Sequence, residues 1–154
     1  GDKIDEAIMS YILQKYSVLI GEQTAERLKM EIGSADVEAA KSAEGTSARG
    51  RDLVTGLPKT IDIEAVDVAD AIKDVISEII IAIKETLEET SPEIAADVID
   101  HGIVLTGGGA MLQHLDEVIA EATKVPVFVA PEPLDAVVIG TGEALKSIDV
   151  LKNN

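Results

Sequence analysis

Apolar positions recur at helical spacing over some stretches of this chain and gather into short unbroken runs in others. In residues 2–16, Ile4, Ile8, Tyr11 and Ile12 share one face. Asp2 suits an N-cap, and Asp5 and Glu6 suit the positive first turn of a helix. A break at 17–21 follows. Thr24 is placed to cap a second helix running through Ile32, with Gly33 as its stop. Leu28 and Ile32 would then point inward, leaving Glu26, Arg27 and Lys29 on a polar face. From 34 to 50 the pattern dissolves into Ala, Ser, Glu and Gly, which predicts an exposed, flexible loop or at most a weak edge strand. Leu53-Val54, Thr55-Gly56-Leu57-Pro58 and the alternating Thr60-Ile61-Asp62-Ile63 predict a hairpin over 51–63. Pro58 belongs at its turn or edge, because proline cannot donate to a ladder.

The longest periodic stretch is 67–89, where Val68, Ile72, Val75, Ile76, Ile79, Ile80, Ile83 and Leu87 form one stripe. Ser91-Pro92-Glu93 supplies an N-cap, a proline at the first helical position and an acid in the first turn of a further helix that stops before Gly102. The remainder alternates. Ile103 to Thr106 reads as a buried strand, Gly107 to Gly109 as a turn, and Met111, Leu112, Leu115, Val118 and Ile119 as a helix. Val125 to Val129 reads as a second strand, and 134–148 as a last helix. Strand, helix, strand, helix with short links predicts a right-handed crossover between parallel strands.

Composition narrows the chemistry. Apolar residues make up 46% of the 154 residues but aromatics only 2%, so the core must be aliphatic. Cysteine is absent, which removes disulfides, thiolate metal sites and a cysteine nucleophile. No stretch approaches a membrane span, and no signal-peptide pattern is present. The formal charge of −16 disfavours nucleic acid as a partner. Arg49, Arg51 and Lys59 form the one cationic cluster.

Three glycines between a strand and a helix form the element with mechanism in it. They admit positive φ and let a flat ligand approach without a Cβ in the way, and the following helix presents free N–H groups. The same pattern also serves as a plain strand-to-helix turn. Neither GxxxxGK[ST] nor GxGxxG is present. Gly140-Thr141-Gly142 lies in a helical pattern and reads as a close packing contact. His101 and His114 lack acid and nucleophile partners and read as surface residues. Asp97 and Asp100 read as a solvated face, so neither catalytic nor metal-binding residues are assigned.

The run Gly102-Ile103-Val104-Leu105-Thr106-Gly107-Gly108-Gly109-Ala110 resembles the adenosine motif of the superfamily that unites actins, heat-shock chaperones and sugar kinases. More narrowly, Gly1-Asp2 to Ala7-Ile8, Ile20-Gly21-Glu22 to Ile32-Gly33, and Arg49-Gly50-Arg51-Asp52-Leu53 to Gly56-Leu57-Pro58 are similar to MreB-like rod-shape-determining proteins, the bacterial actins. Pro92 to Asp97 and Glu132-Pro133-Leu134 match as well. The resemblance runs in order through nearly the whole chain, and only 36–48 matches nothing.

The resemblance implies an α/β fold, domain II of an actin-like ATPase: a partial ribonuclease H-like lobe over 1–24 and 64–154, and a small α+β upper lobe over 25–63 with its flexible loop at 34–50. It implies adenosine contacts from Glu26, Arg27, Leu28 and Lys29, and from Gly107, Gly108, Gly109, Ala110 and Met111. On pattern alone Glu26 and Lys29 read as a solvated helix face. The family's two phosphate loops, which with Mg2+ carry out phosphoryl transfer, are not among these residues. ATP or ADP with Mg2+ is therefore expected in the full-length protein, with no turnover and no tight binding by this chain alone. Implied partners are other copies in a head-to-tail filament and the transmembrane adaptor of the rod-shape machinery. The implied location is the cytoplasmic face of the membrane, with membrane contact made by parts outside this chain. A sugar- or acetate-kinase-like enzyme is the alternative, but no substrate pocket of positioned acids or amides is legible. A chaperone would need a substrate domain after Asn154, where Asp149-Val150-Leu151-Lys152 reads as a terminus.

Overall fold

The computed structural model describes residues 2–106, 112–130 and 137–138. Helix α1 (Asp2–Tyr16) buries Ile4, Ile8 and Ile12, as its period requires. The stretch expected as a break holds a short strand, β1 (Val18–Leu19), entered through Ser17 at φ +57°. Helix α2 (Glu22–Ile32) starts two residues before Thr24, so Thr24 does not cap it. The N-cap is Gly21 in extended conformation without a side-chain cap, and Glu22 supplies the first-turn negative charge. Gly33 ends the helix as expected, its N–H donating to Lys29 O.

Residues 34–50 depart furthest from expectation. They contain helix α3 (Val37–Lys41), capped by Asp36 through Glu38 N and Ala39 N at 3.0 and 3.3 Å, and the first half of strand β2 (Thr46–Asp52). Small side chains permit this rather than preclude it. Ala40 packs against Ala65 and Ala69 at close range, and Ala48 is buried opposite Ile61. Strand β3 (Pro58–Ile63) closes the hairpin, with Pro58 as the first residue of an edge strand.

This antiparallel sheet, in the order β1-β2-β3, turns Ala48, Ile61 and Ile63 to the core and Ser47, Arg49, Arg51, Thr60 and Asp62 to solvent. Helix α4 (Ala65–Glu88) lays Val68, Ile72, Ile76, Ile79 and Ile83 along the core. Helix α5 (Pro92–His101) is capped by Ser91 and stops at Gly102, whose φ of +94° an L-residue rarely adopts.

The second sheet has the order β5-β4-β6. Strand β4 (Ile103–Leu105) is parallel to β5 (Val127–Val129), across helix α6 (Leu115–Thr123), in agreement with the predicted crossover. The expected helical pattern from Met111 is shortened, because Leu112 to His114 precede the helix and His114 is left-handed at φ +65°. Val137 and Val138, expected within a last helix, form strand β6 antiparallel to β4. The Gly140-Thr141-Gly142 expectation lies outside the described residues. One continuous apolar cluster joins α1, α2, β1, β2, β3, α4, β4 and α6. The expected lobe boundary at 24/25 falls inside α2.

Candidate functional site

The glycine run follows β4 in sequence, and Leu112 and Gln113 beyond it are fastened to the residues just past α2. Ala35 N donates to Gln113 O at 2.8 Å, Ser34 and Gln113 form a parallel bridge, and the space a Cβ on Gly33 would take lies 2.8 Å from a methyl of Leu112. Gly33 therefore lies on the side of α2 that meets this segment. On α2 itself Glu26 and Met30, four residues apart, are both exposed, whereas Lys29 is buried. The structure thus brings Gly33 to Ala35, just past α2, against Leu112 and Gln113. Gly107, Gly108, Gly109, Ala110 and Met111 themselves lie outside the described residues.

The four α2 candidates occupy different surroundings. Glu26 is exposed. Arg27 is engaged structurally: its guanidinium meets Glu31 Oε2 at 2.9 Å and donates to Ser47 O of β2 at 2.9 Å. Leu28 is fully buried in the core. Lys29, expected on a polar outer face, is only 2% exposed, and its ammonium lies 3.3 Å from Asp5 Oδ1 of α1. A lysine can be drawn inward in this way when a carboxylate waits at the far end of its apolar stem. The contact is off the hydrogen-bonding direction, and Asp5 Oδ1 remains buried without a hydrogen bond. Met30, which the sequence reading did not single out, is 44% exposed one turn beyond Glu26. Its i,i+4 spacing from Glu26 was the available signal.

Three further groups have capacity that a ligand could use. Thr106 Oγ1 is buried without a hydrogen-bond partner immediately before Gly107, a polar atom open to a further donor or acceptor. Glu26 offers an acceptor and Met30 a polarisable apolar surface.

A second polar cluster has the perturbed acidities of a catalytic centre without its accessibility. Asp67 Oδ1 accepts from Tyr11 Oη at 3.2 Å and from Lys15 Nζ, and Oδ2 accepts from Tyr16 Oη at 2.7 Å and from Glu64 N at 3.1 Å. Burial pushes the Asp67 carboxyl up, but Lys15, Tyr16 and the Glu64 amide together hold it below its ordinary value. Burial and the Asp67 charge raise Tyr11; burial and the hydrogen bond to Asp67 raise Tyr16; the hydrogen bond to Asp67 raises Lys15. All four acceptor positions are filled, and Asp67 lines neither of two open hollows of about 320 and 350 Å³. The cluster ties α1 to the start of α4.

His101 Nδ1 lies 2.9 Å from Asp97 O and His114 Nδ1 3.0 Å from Glu117 Oε2, local contacts that leave both on the surface. Among the described residues no three His, Asp or Glu side chains converge on a metal position, and no helix is long and apolar enough to cross a membrane.

Comparison with known proteins gives a consistent result. The family model described as MreB/Mbl protein matches residues 1–153. The cell shape-determining protein Mbl of Bacillus subtilis (strain 168) is 46% identical over 151 residues, covering 98% of this chain and 45% of that protein. The cell shape-determining protein MreB of Escherichia coli (strain K12) is 42% identical over 150 residues, covering 97% of the chain and 43% of that protein. Among solved structures, MreB5 of Spiroplasma citri bound to ADP superposes with a TM-score of 0.78 at 33% identity, over 85% of this chain and 39% of that one. The MamK double helical filament superposes with a TM-score of 0.68 at 23% identity, over 86% and 40%, a likeness of fold. The chain therefore spans less than half the length of the curated relatives it matches.

Proposed function

The chain belongs to the MreB/Mbl family of actin-like cell shape-determining proteins, and from that premise we propose that it forms the adenosine-side half of an ATP-binding, filament-forming cytoskeletal protein. The full-length protein maintains rod shape by organising cell-wall synthesis at the cytoplasmic face of the membrane. Its partners are other copies of itself and the transmembrane adaptor of the rod-shape machinery. The observation that supports the nucleotide reading is the attachment of Gln113 to Ser34 and Ala35, which brings the segment that follows the glycine run in sequence beside the end of α2. The MreB5 relative with ADP bound supports the same reading.

In this arrangement Gly107, Gly108, Gly109, Ala110 and Met111 lie against the adenosine, and Glu26 contacts it directly from α2. Arg27, Leu28 and Lys29 hold that helix in place through Ser47, the core and Asp5. ATP and ADP would be held on the adenosine side by these groups and by the Thr106 hydroxyl. Bound Mg2+ with the phosphate loops of the rest of the protein supplies the phosphoryl-transfer chemistry. The 154 residues alone provide affinity on one side of the ligand and no turnover. Expected for Gly108→Val in the full-length protein is ATP binding weaker by about tenfold or more, because the new side chain occupies space the base or sugar requires. Isothermal calorimetry reads this directly, and an affinity equal to wild type would remove the turn from the site.

A further inference from the structure

Residues 18–63 depart from the end of α1 and return at the start of α4, so two short bends carry β1, α2, α3, β2 and β3 between them. On the outgoing side Ser17 is left-handed at φ +57°, an uncommon conformation for a residue with a Cβ. On the returning side Glu64 is extended before α4 begins. One oxygen spans both bends. Asp67 Oδ2 accepts from Tyr16 Oη at 2.7 Å on the outgoing side and from Glu64 N at 3.1 Å on the returning side. Leu53 N donates to Ser17 O at 3.0 Å and braces the outgoing bend from within the unit.

The second oxygen keeps that grip from swinging. Asp67 Oδ1 accepts from Tyr11 Oη and Lys15 Nζ, both on α1, and Asp67 itself belongs to the first turn of α4. The neck of 18–63 is therefore fixed to both helices from which it rises. Apolar contacts also join this unit to α1 and α4. Those contacts are non-directional and fix no angle, whereas a hydrogen bond weakens steeply off its line. Away from the neck the unit carries α2 and meets Gln113 through Ser34 and Ala35. A small rotation at the neck becomes a larger displacement there.

We propose that Asp67 is a positioning residue for the nucleotide site: it locks the neck at Tyr16 and Glu64, and so sets how α2 stands against the chain that follows β4. Asp67 never touches the ligand in this reading, which rests on the nucleotide reading above, because its acceptor positions are filled within the fold. It acts through α2. Tyr16 and Tyr11 therefore differ in consequence. Both donate to Asp67, but Tyr16 adjoins a bend and Tyr11 lies a turn back on α1.

The test compares the full-length protein with its Tyr16→Phe, Tyr11→Phe and Ile76→Val variants, the last thinning the buried face of α4 away from the neck. It measures ATP affinity by calorimetry, thermal melting, and the distance between spin labels on Thr60→Cys and Ser77→Cys, two exposed sites, with any cysteine outside this chain replaced. Tyr16→Phe keeps its ring and leaves Asp67 its other three donors, so it is expected to fold. All three variants are expected to melt below wild type. Tyr16→Phe alone is expected to bind ATP about tenfold more weakly and to broaden the label distance. Wild-type affinity in folded Tyr16→Phe overturns the proposal and leaves the nucleotide reading standing. An equal loss in Tyr11→Phe or Ile76→Val also overturns it, because affinity would then follow stability rather than the neck. A wild-type protein that binds no ATP removes the nucleotide reading and the positioning role with it.

Discussion

The described residues bury two charged side chains, Asp67 and Lys29, and the fold serves them differently. Asp67 receives four donors from α1 and from the residue before α4, two on each oxygen. Lys29 has one carboxylate beside it, Asp5, in a geometry that leaves Asp5 Oδ1 without a hydrogen bond. A buried charge is tolerated when its hydrogen-bonding capacity is met, and each shortfall costs free energy. The saturated acid has no capacity left for a ligand, so it belongs to the structure. The less well served pair, Lys29 and Asp5, joins α2 to α1 and leaves Asp5 Oδ1 without a hydrogen bond.

The largest expected effect tests the saturated side. Asp67→Ala removes the acceptor of three side chains and one amide, and should destabilise the chain by about 3 kcal/mol. The same residue shapes the pH profile. Its carboxyl titrates below the ordinary 3.8 in the folded state, so its contribution is complete above that value and is lost as pH falls through the folded pKa. Lys15 is raised from 10.5 and contributes stability that is lost as pH rises through its folded pKa. Tyr11 and Tyr16, raised from 10.0, resist ionising in the fold, which adds to the alkaline loss above that value. Urea unfolding across pH should show a broad plateau between these limits in wild type and a flattened acid limb in Asp67→Ala. An unchanged acid limb would mean that Asp67 does not carry the shift.

How much of this was legible follows from whether the deciding contacts are local. The stripe of α4 and the Ser91-Pro92 start of α5 are set by neighbours within a few residues, and both appear where periodicity and capping put them. The donors of Asp67 lie 56, 52 and 51 residues away in sequence, so an acid near a helix start carried no sign of its burial. The same holds for Lys29, whose partner Asp5 sits on another helix. Helix α3 and the start of β2 were missed because alanine and glycine give no apolar signal, although Ala40 fits closely against Ala65 and Ala69. Val137 and Val138 fit a helical period until strand β4 claims them as neighbours. At the candidate site, motif resemblance singled out the glycine run, which lies outside the described residues, while the burial of Lys29 and the exposure of Met30 emerged only from how α2 packs.

The under-served side should respond more weakly. Lys29→Met keeps the apolar stem and removes the ammonium, leaving Asp5, whose side chain is 14% exposed, to find water. A loss of about 1–2 kcal/mol is expected, below that of Asp67→Ala, because little hydrogen bonding is given up. Adding Asp5→Asn should recover most of it, since the neutral amide no longer needs a cation. Urea unfolding of the two single variants and the double variant gives the coupling energy. A Lys29→Met loss larger than that of Asp67→Ala would invert the comparison and make the Asp5–Lys29 pair the stronger tie.

The smallest effect asks whether four donors make the Asp67 cluster redundant. Tyr11→Phe removes the longest of its hydrogen bonds, at 3.2 Å, while the ring stays in place beneath the Lys15 ammonium, 5.9 Å from its centroid. Asp67 Oδ1 keeps Lys15 and Oδ2 keeps both of its donors, so no buried acceptor is stranded. A cost of about 0.5–1 kcal/mol is expected, the net value of one hydrogen bond rather than the penalty for an unpaired charge. Tyr16→Phe, which removes the 2.7 Å bond, should cost more. Because Tyr11 also resists ionising in the fold, its loss should soften the alkaline limb of the stability curve while leaving the acid limb to Asp67. If Tyr11→Phe instead approached the full cost of Asp67→Ala, each donor would be indispensable, and saturation would not be what distinguishes this buried charge from Lys29.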